Sequence, residues 1–269
     1  ELPGDRRTRP DGLGALLVTL AIGALIFGLT NGEQHGFDAV ATIVALAACV
    51  VLGAGFLAWE RTRAHPMLPR AFFADRVRRT SLIAMFVVGG MFAAYAYIIA
   101  LYLQRVLDYS EIRAAFALAP APLSLALVST FLARRLLARI GLRLTMLLGL
   151  ASMIAGQLWL TRLGADSGYL VRVLPGLLLT AGGGGFALPA VSVGAMRGAV
   201  SADRGLAGGM LPTAQQVGAA VVLAALATIA AARTTHTHSL VAGYRTAYLV
   251  SACLLAALAL LVARTRMDI

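Results

Sequence analysis

The chain has 269 residues, of which 59% are hydrophobic, and its 23 basic and 12 acidic residues leave a net charge of +11. So high an apolar content exceeds what a soluble core needs. The charge excess does not mark a nucleic-acid binder either, because the Arg residues gather at the ends of apolar runs without interleaved aromatics.

Eight uncharged runs of 18 to 28 residues divide the sequence: Gly12 to Gly32, Ala39 to Trp59, Thr80 to Gln104, Ala114 to Ala133, Leu144 to Thr161, Val173 to Met196, Gly205 to Ala232 and Thr246 to Ala263. Each approaches or exceeds the ~20 residues that carry a helix across ~30 Å of hydrocarbon. Lipid offers no water to backbone amides, so the choice lies between helices and a closed barrel. The alternation that barrel strands require is missing from runs such as Leu254-Leu255-Ala256-Ala257-Leu258. The expected fold class is all-α, a polytopic transmembrane helical bundle.

Taken in order, the loops alternate in charge. Those on the side of the N-terminus hold 17 of the 23 Arg residues with 7 acids, and the opposite loops hold 6 Arg and 5 acids. The positive-inside asymmetry therefore predicts a plasma-membrane (inner-membrane) protein with both ends of this segment in the cytoplasm. Cys49 and Cys253 fall inside runs and suggest neither a disulfide framework nor a metal site. The first run is too long for the apolar core of a secretory signal. A first residue of Glu1 rather than Met reads as a fragment or a processed product.

The first two runs are followed by a 20-residue loop, Glu60 to Arg79, longer than any later connection. This spacing predicts a two-helix hairpin with its basic loop over residues 1–79 and a six-helix unit over residues 80–269, the latter divisible into two inverted three-helix repeats. In the third run, Met91, Tyr95, Ile98 and Tyr102 share one helical face, and Gly90, Ala93, Tyr97 and Gln104 share another. Tyr95, Tyr97 and Gln104 are candidates for a cavity that offers stacking and neutral hydrogen bonds. The alternative for Tyr102 and Gln104 is the aromatic belt at the outer interface.

Pro120 and Pro122 mark possible kinks in the fourth run, and Gly141 can close a tight turn in the basic segment Arg134 to Arg143. Gly182-Gly183-Gly184-Gly185 has no preceding strand and no following Gly-Lys-Ser/Thr, so it is no phosphate loop. With Pro189 it reads as a close-packing and bending region. The seventh run places Gly205, Gly209, Thr213 and Gln216 on one face, a small-residue groove leading to polar groups. At least one of Gln215 and Gln216 should face the bundle interior or a cavity, since an amide in lipid loses its hydrogen bonds. His236 and His238 form an isolated pair with no further Cys or His nearby in sequence, and no nucleophile set assembles, so metal, cofactor and enzymatic roles are not expected.

Four motifs carry a family resemblance. Glu60-Arg61-Thr62-Arg63-Ala64-His65-Pro66-Met67-Leu68-Pro69, then Phe72-Phe73, resembles the E-x-R-x-x-H-P-L-L-P signature of fourteen-helix drug:proton antiporters in the major facilitator superfamily. Asp11 and Gly14 fit that branch's D-x-x-G. Leu101-Tyr102-Leu103-Gln104-Arg105-Val106-Leu107-Asp108-Tyr109-Ser110 is similar to its L-Y-L-Q-x-V-L-G-Y-S. Gly205, Gly209, Thr213, Gln215, Gln216 and Gly218 are similar to G-x-x-x-G-x-x-x-T-x-R-Q-x-G, with Gln215 where the pattern has Arg. The segment around Arg139 and Gly141 also resembles the superfamily's G-x-L-A-D-R-x-G-R-R turn, with Arg134 and Ala138 in place of Gly and Asp.

The resemblance implies two six-helix bundles flanking a central pair, of which this chain would be the pair and the C-terminal bundle. It implies export of drugs or amphipathic small molecules by alternating access, with the lipid bilayer and a small-molecule substrate as partners. Protons would couple through carboxylates of an N-terminal bundle outside this sequence. It also places the third helix beside the central cavity and allows Arg139 to contact helix ends or acids of the other bundle. A rival expectation is a non-transporting scaffold or sensor subunit built from a transporter half.

Overall fold

The computed structural model describes residues 11–36, 38–63, 70–165, 168–197 and 201–265, and among them every regular element is helical. The chain divides into two compact units, Glu1–Phe72 and Phe73–Ile269. The His65 to Pro69 portion of the first motif lies outside the described residues.

The first unit is a hairpin of α1 (Gly12–His35) and α2 (Val40–Thr62). The turn begins at Gly36, whose φ of 96° suits glycine and whose N–H caps α1 by donating to the Gly32 carbonyl. Beside it Asn31 Nδ2 donates to Thr42 Oγ1 at 2.8 Å, and that hydroxyl donates to the Gly36 carbonyl at 3.2 Å. At the opposite end Asp11 caps α1 by accepting from Gly14 N–H at 3.0 Å. The same carboxylate accepts from Trp59 Nε1 at 3.0 and 3.1 Å, and Arg63 lies 3.6 Å from it with its guanidinium 4.2 Å from the centre of the Trp59 ring. Two of the motifs quoted above thus meet in one clasp. The Gly14 N–H, the Trp59 indole and Arg63 together hold the Asp11 carboxyl below its usual range.

The second unit is up-and-down. Its helices are α3 (Arg76–Arg105), α4 (Glu111–Leu118), α5 (Pro120–Leu127) continuing through a π-helical turn at Val128–Ala133 into α6 (Arg134–Leu160), then α7 (Leu174–Met196), α8 (Ser201–Thr237) and α9 (Leu240–Arg264). Seven helical stretches in the described residues are long and apolar enough to cross a membrane. One of them, Glu111–Leu160, is 50 residues long, far more than the ~20 that span hydrocarbon. It breaks at Gly141, whose φ of 78° and ψ of 177° are not helical. The fourth and fifth uncharged runs lie on either side of that glycine, so the seven stretches hold eight membrane-length segments.

Asp108 ends α3 in the same physical way. Its φ of 51° is left-handed, and Tyr109 N–H beyond it reaches back to the Leu103 carbonyl at 3.0 Å. The family pattern has Gly at this place because the backbone needs positive φ, and Asp tolerates that conformation better than most residues.

Side chains tie the helix ends to one another by donating to backbone carbonyls at or near those ends. At the end where α3 begins, here called the basic end, Arg78 donates to the Arg197 carbonyl at 2.9 Å and Arg143 to the Ala263 carbonyl. Thr80 and Thr265 share a hydroxyl hydrogen bond there at 3.2 Å. At the far end Tyr102 donates to the Gly164 carbonyl at 2.7 Å, Arg245 to the Leu163 carbonyl, and Tyr169 to the Ala117 carbonyl at 2.6 Å.

Glycines decide how closely the helices approach. A Cβ on Gly149 of α6 would lie 2.6 Å from the Gly183 carbonyl oxygen of α7, and one on Gly183 would lie 2.6 Å from the Gly149 oxygen. Seven residues along, Gly156 faces Gly176 and Thr180 in the same antiparallel seam. The run Gly182 to Gly185 turns around α7 and meets a different neighbour at nearly every step. Gly182 and Gly185 face Ser124, Leu125 and Val128; Gly183 faces α6; and Gly184 faces the Phe92 ring of α3. Helix α7 is therefore enclosed by α3, α5 and α6.

Candidate functional site

The α3–α8 contact is the place to build the site, because most of the candidate residues lie on these two helices. They run parallel and cross at a second glycine seam. A Cβ on Gly218 would stand 2.0 Å from the Phe86 carbonyl oxygen, and one on Gly90 would stand 2.5 Å from the Gly218 oxygen and from Val222. Gly89 faces Gln215, which is half-buried against it. The amide expected to face the interior is thus Gln215, at the position where the family pattern has Arg.

The third run's two faces separate as the helical period requires. Met91, Tyr95, Ile98 and Tyr102 are all buried in the unit's core. Tyr95 packs edge-on to Phe92 with ring centres 5.6 Å apart, and Tyr102 is fully enclosed with its hydroxyl on Gly164. Tyr102 therefore does not sit in an outer aromatic belt, and Tyr95 does not open onto a surface. On the other face Tyr97 is 39% exposed and Gln104 is exposed near the helix end.

On α8, Gly205, Gly208, Gly209, Pro212 and Gln216 form an exposed stripe. A Cβ at Gly205, Gly208 or Gly209 would meet nothing within 4 Å, so these glycines do not pack against another helix within this structure. The close packing lies about two and a half turns beyond Gly209, at Gly218, where the neighbour is backbone. Thr213 Oγ1 donates to the Gly209 carbonyl of its own helix at 2.8 Å. With Gly90 opposite Gly218, Gln216 sits about nine residues below Tyr97, or ~13 Å along the axis at 1.5 Å per residue. Tyr97, Gln104, Thr213 and Gln216 therefore sit on two neighbouring helices at different heights, while Tyr95 is buried in the core.

The remaining candidates are local backbone devices. Pro120 opens α5 at its first position, where a missing N–H costs nothing. Pro189 lies inside α7 without breaking it. Gly141 makes the reversal described above, and Arg139, just before it, is exposed. His236 and His238 are both exposed, and no group of three metal-ligating side chains occurs among the described residues.

Three buried polar side chains were not singled out in the sequence. Gln157 of α6 is fully buried, with Nε2 at 3.5 Å from Thr180 Oγ1 of α7 and Oε1 without a hydrogen-bond partner. The signal was present, since a lone amide within an apolar run must find company. Tyr248 of α9 is buried beside Tyr95, Tyr102 and Tyr244, and the hydroxyls of Tyr244 and Tyr248 have no hydrogen-bond partner among the described residues.

Comparison with known proteins decides the family. The sequence description of the Major Facilitator Superfamily matches residues 11–223, which takes in the hairpin, the Gly141 reversal and the α3–α8 seam. The chain belongs to that superfamily. It is 33% identical over 218 residues to the lincomycin resistance protein of Streptomyces lincolnensis, covering 80% of this chain and 44% of the relative. It is 33% identical over 244 residues to the puromycin resistance protein of Streptomyces alboniger, covering 87% and 47%. It is 32% identical over 231 residues to the multidrug resistance protein Stp of Mycobacterium tuberculosis, covering 85% and 42%. This facilitator chain thus spans less than half the length of these curated relatives. Its kin are transporters rather than enzymes, and it is a multi-pass membrane protein.

Proposed function

We propose that this chain supplies the central helical pair and the C-terminal six-helix bundle of a fourteen-helix drug exporter. Residues 1–79 would form the pair and its basic loop, and residues 80–269 the bundle. The observation that carries this reading is the uneven chemistry of the exposed, membrane-level surface. Exposed positions of α6 and α9 present leucines such as Leu144, Leu148, Leu158, Leu249, Leu254 and Leu260, suited to lipid. Those of α3 and α8 include Tyr97 and Gln216, with Thr213 at their edge. A wall of neutral donors, acceptors and one aromatic ring suits amphipathic small molecules without requiring a buried charge. The resistance relatives in Streptomyces and Mycobacterium, and a cephamycin export protein of Amycolatopsis lactamdurans at 29% identity, favour outward transport of such molecules.

Proton coupling would come from carboxylates beyond this chain, since none of the eight uncharged runs holds an Asp or Glu. The Arg asymmetry supports an inner-membrane location with both ends of the segment in the cytoplasm. A complete exporter with Tyr97→Ala or Gln216→Ala should change its relative resistance to several drugs at normal membrane abundance, whereas Leu254→Ala should not. An unchanged profile in both polar variants would remove the α3–α8 wall from the transport path.

A further inference from the structure

The two ends of the six-helix unit use their arginines differently. At the far end Arg113 lies 3.8 Å from the centre of the Tyr109 ring and Arg162 lies 5.2 Å from that of Trp159. Arg172 donates to the Arg162 carbonyl at 3.4 Å, and Arg245 donates to the Leu163 carbonyl. Most far-end guanidinium groups thus rest on a ring or a carbonyl of the protein itself. At the basic end Arg78 and Arg143 are likewise occupied with helix ends. Arg76, Arg79, Arg134, Arg135, Arg139 and Arg264 are not: their side chains are exposed and make no ion pair, hydrogen bond or ring contact among the described residues.

Among the described side chains of this unit, the carboxylate at that end is already engaged. Asp75 caps α3 by accepting from the N–H groups of Val77 and Arg78 at 2.7 and 3.0 Å. The hydrogen bonds between helix ends gather these arginines. Thr80 with Thr265, and Arg143 with the Ala263 carbonyl, place the last turn of α9 between the start of α3 and the Gly141 reversal. Arg264 is thus on a turn tied on one side to the helix that carries Arg76 and Arg79 and on the other to the segment that follows Arg139.

We propose that this rim is a docking surface for the phosphodiester headgroups of anionic phospholipids. It lies where membrane-length helices end, which is the depth of the headgroups. A guanidinium presents a planar fork of donors matched to phosphate oxygens, and an anionic leaflet attracts each such charge. The lipid surface supplies the counter-charge that the far end finds in its own rings and carbonyls.

The test uses the purified chain in nanodiscs of phosphatidylcholine alone or mixed with phosphatidylglycerol, read by native mass spectrometry and thermal unfolding. Phosphatidylglycerol should remain bound and raise the unfolding temperature, and the triple variant Arg134→Gln, Arg135→Gln, Arg139→Gln should lower its retention about tenfold. Arg233→Gln at the far end should leave retention unchanged. Should the triple variant unfold even in phosphatidylcholine, Arg76→Gln with Arg79→Gln carries the same test on another helix. Equal behaviour in the two lipids, full retention by the folded variants, or an equal loss with Arg233→Gln would overturn the proposal. So would inorganic phosphate reproducing the thermal shift, since it would show a solvated basic face that takes any anion.

Discussion

Helices α7 and α8 are both rich in glycine, yet their glycines do opposite things. Those of α7 at 182 to 185 are all buried and press on α3, α5 and α6, whereas Gly205, Gly208 and Gly209 of α8 stand beside open space and only Gly218 meets a neighbour at backbone distance. The polar residues follow suit. Thr180 of α7 is buried against Gln157 of α6, while Thr213 of α8 turns its hydroxyl back onto its own helix. A glycine in a membrane helix therefore signals that a backbone approaches only when the partner is in place; otherwise it signals a surface left bare of side chains.

Substitutions at these positions break or sharpen the contrast. The largest effect should come from Gly183→Ala and Gly218→Ala, where the added carbon meets carbonyl oxygen that cannot swing aside, at about 1–3 kcal/mol or more. Gly209→Ala should be neutral or stabilising, gaining up to about 1 kcal/mol from helix propensity. Thermal unfolding of the purified chain in detergent compares them, and equal losses at Gly183 and Gly209 would dissolve the distinction. Next in size, Thr180→Val strips the Gln157 amide of its partner and should cost about 1–3 kcal/mol. Thr213→Val loses only a bond within its own helix and should change stability by less than about 0.5 kcal/mol.

Hydroxyl removal gives a finer version. Tyr102→Phe gives up the bond to Gly164 and should cost about 1 kcal/mol, while Tyr248→Phe removes a buried hydroxyl that has no partner and should be neutral or stabilising. A loss at Tyr248 equal to that at Tyr102 would mean that its hydroxyl is held after all.

The smallest effect belongs to the hairpin, whose helices are joined by the clasp as well as by packing of Gly28 against Ala45 and Leu46. Because the folded Asp11 carboxyl titrates below its usual 3.8, the clasp's contribution is fully present above that pH and is lost as pH falls through the lowered value. With Trp159→Phe leaving Trp59 as the sole indole, its fluorescence should stay constant from neutral pH to about 5 and shift only below the ordinary carboxylate range. Asp11→Asn should abolish that acid transition; its persistence would place the titrating group elsewhere.

Composition and run length were enough to read the helical class, because lipid leaves a backbone few solutions. That Met91, Tyr95, Ile98 and Tyr102 share one face was equally legible, since helical period alone decides it. Which of the two faces is buried was not. Tyr95 and Tyr97 differ by two residues and point apart, and nothing local distinguishes the core face from the exposed one. The glycines of α8 were opaque for a related reason, as a missing side chain carries no record of what lies opposite. Gln157 was readable in principle, but its partner Thr180 lies on another helix and is brought near only by the Gly156 seam. Asp108 hid a left-handed residue behind an ordinary acidic side chain.

The reversal at Gly141 has a mechanical consequence. The two crossings are joined through a single non-helical residue rather than through a loop. Such a joint leaves no slack for a protease to enter or an inserted tag to occupy.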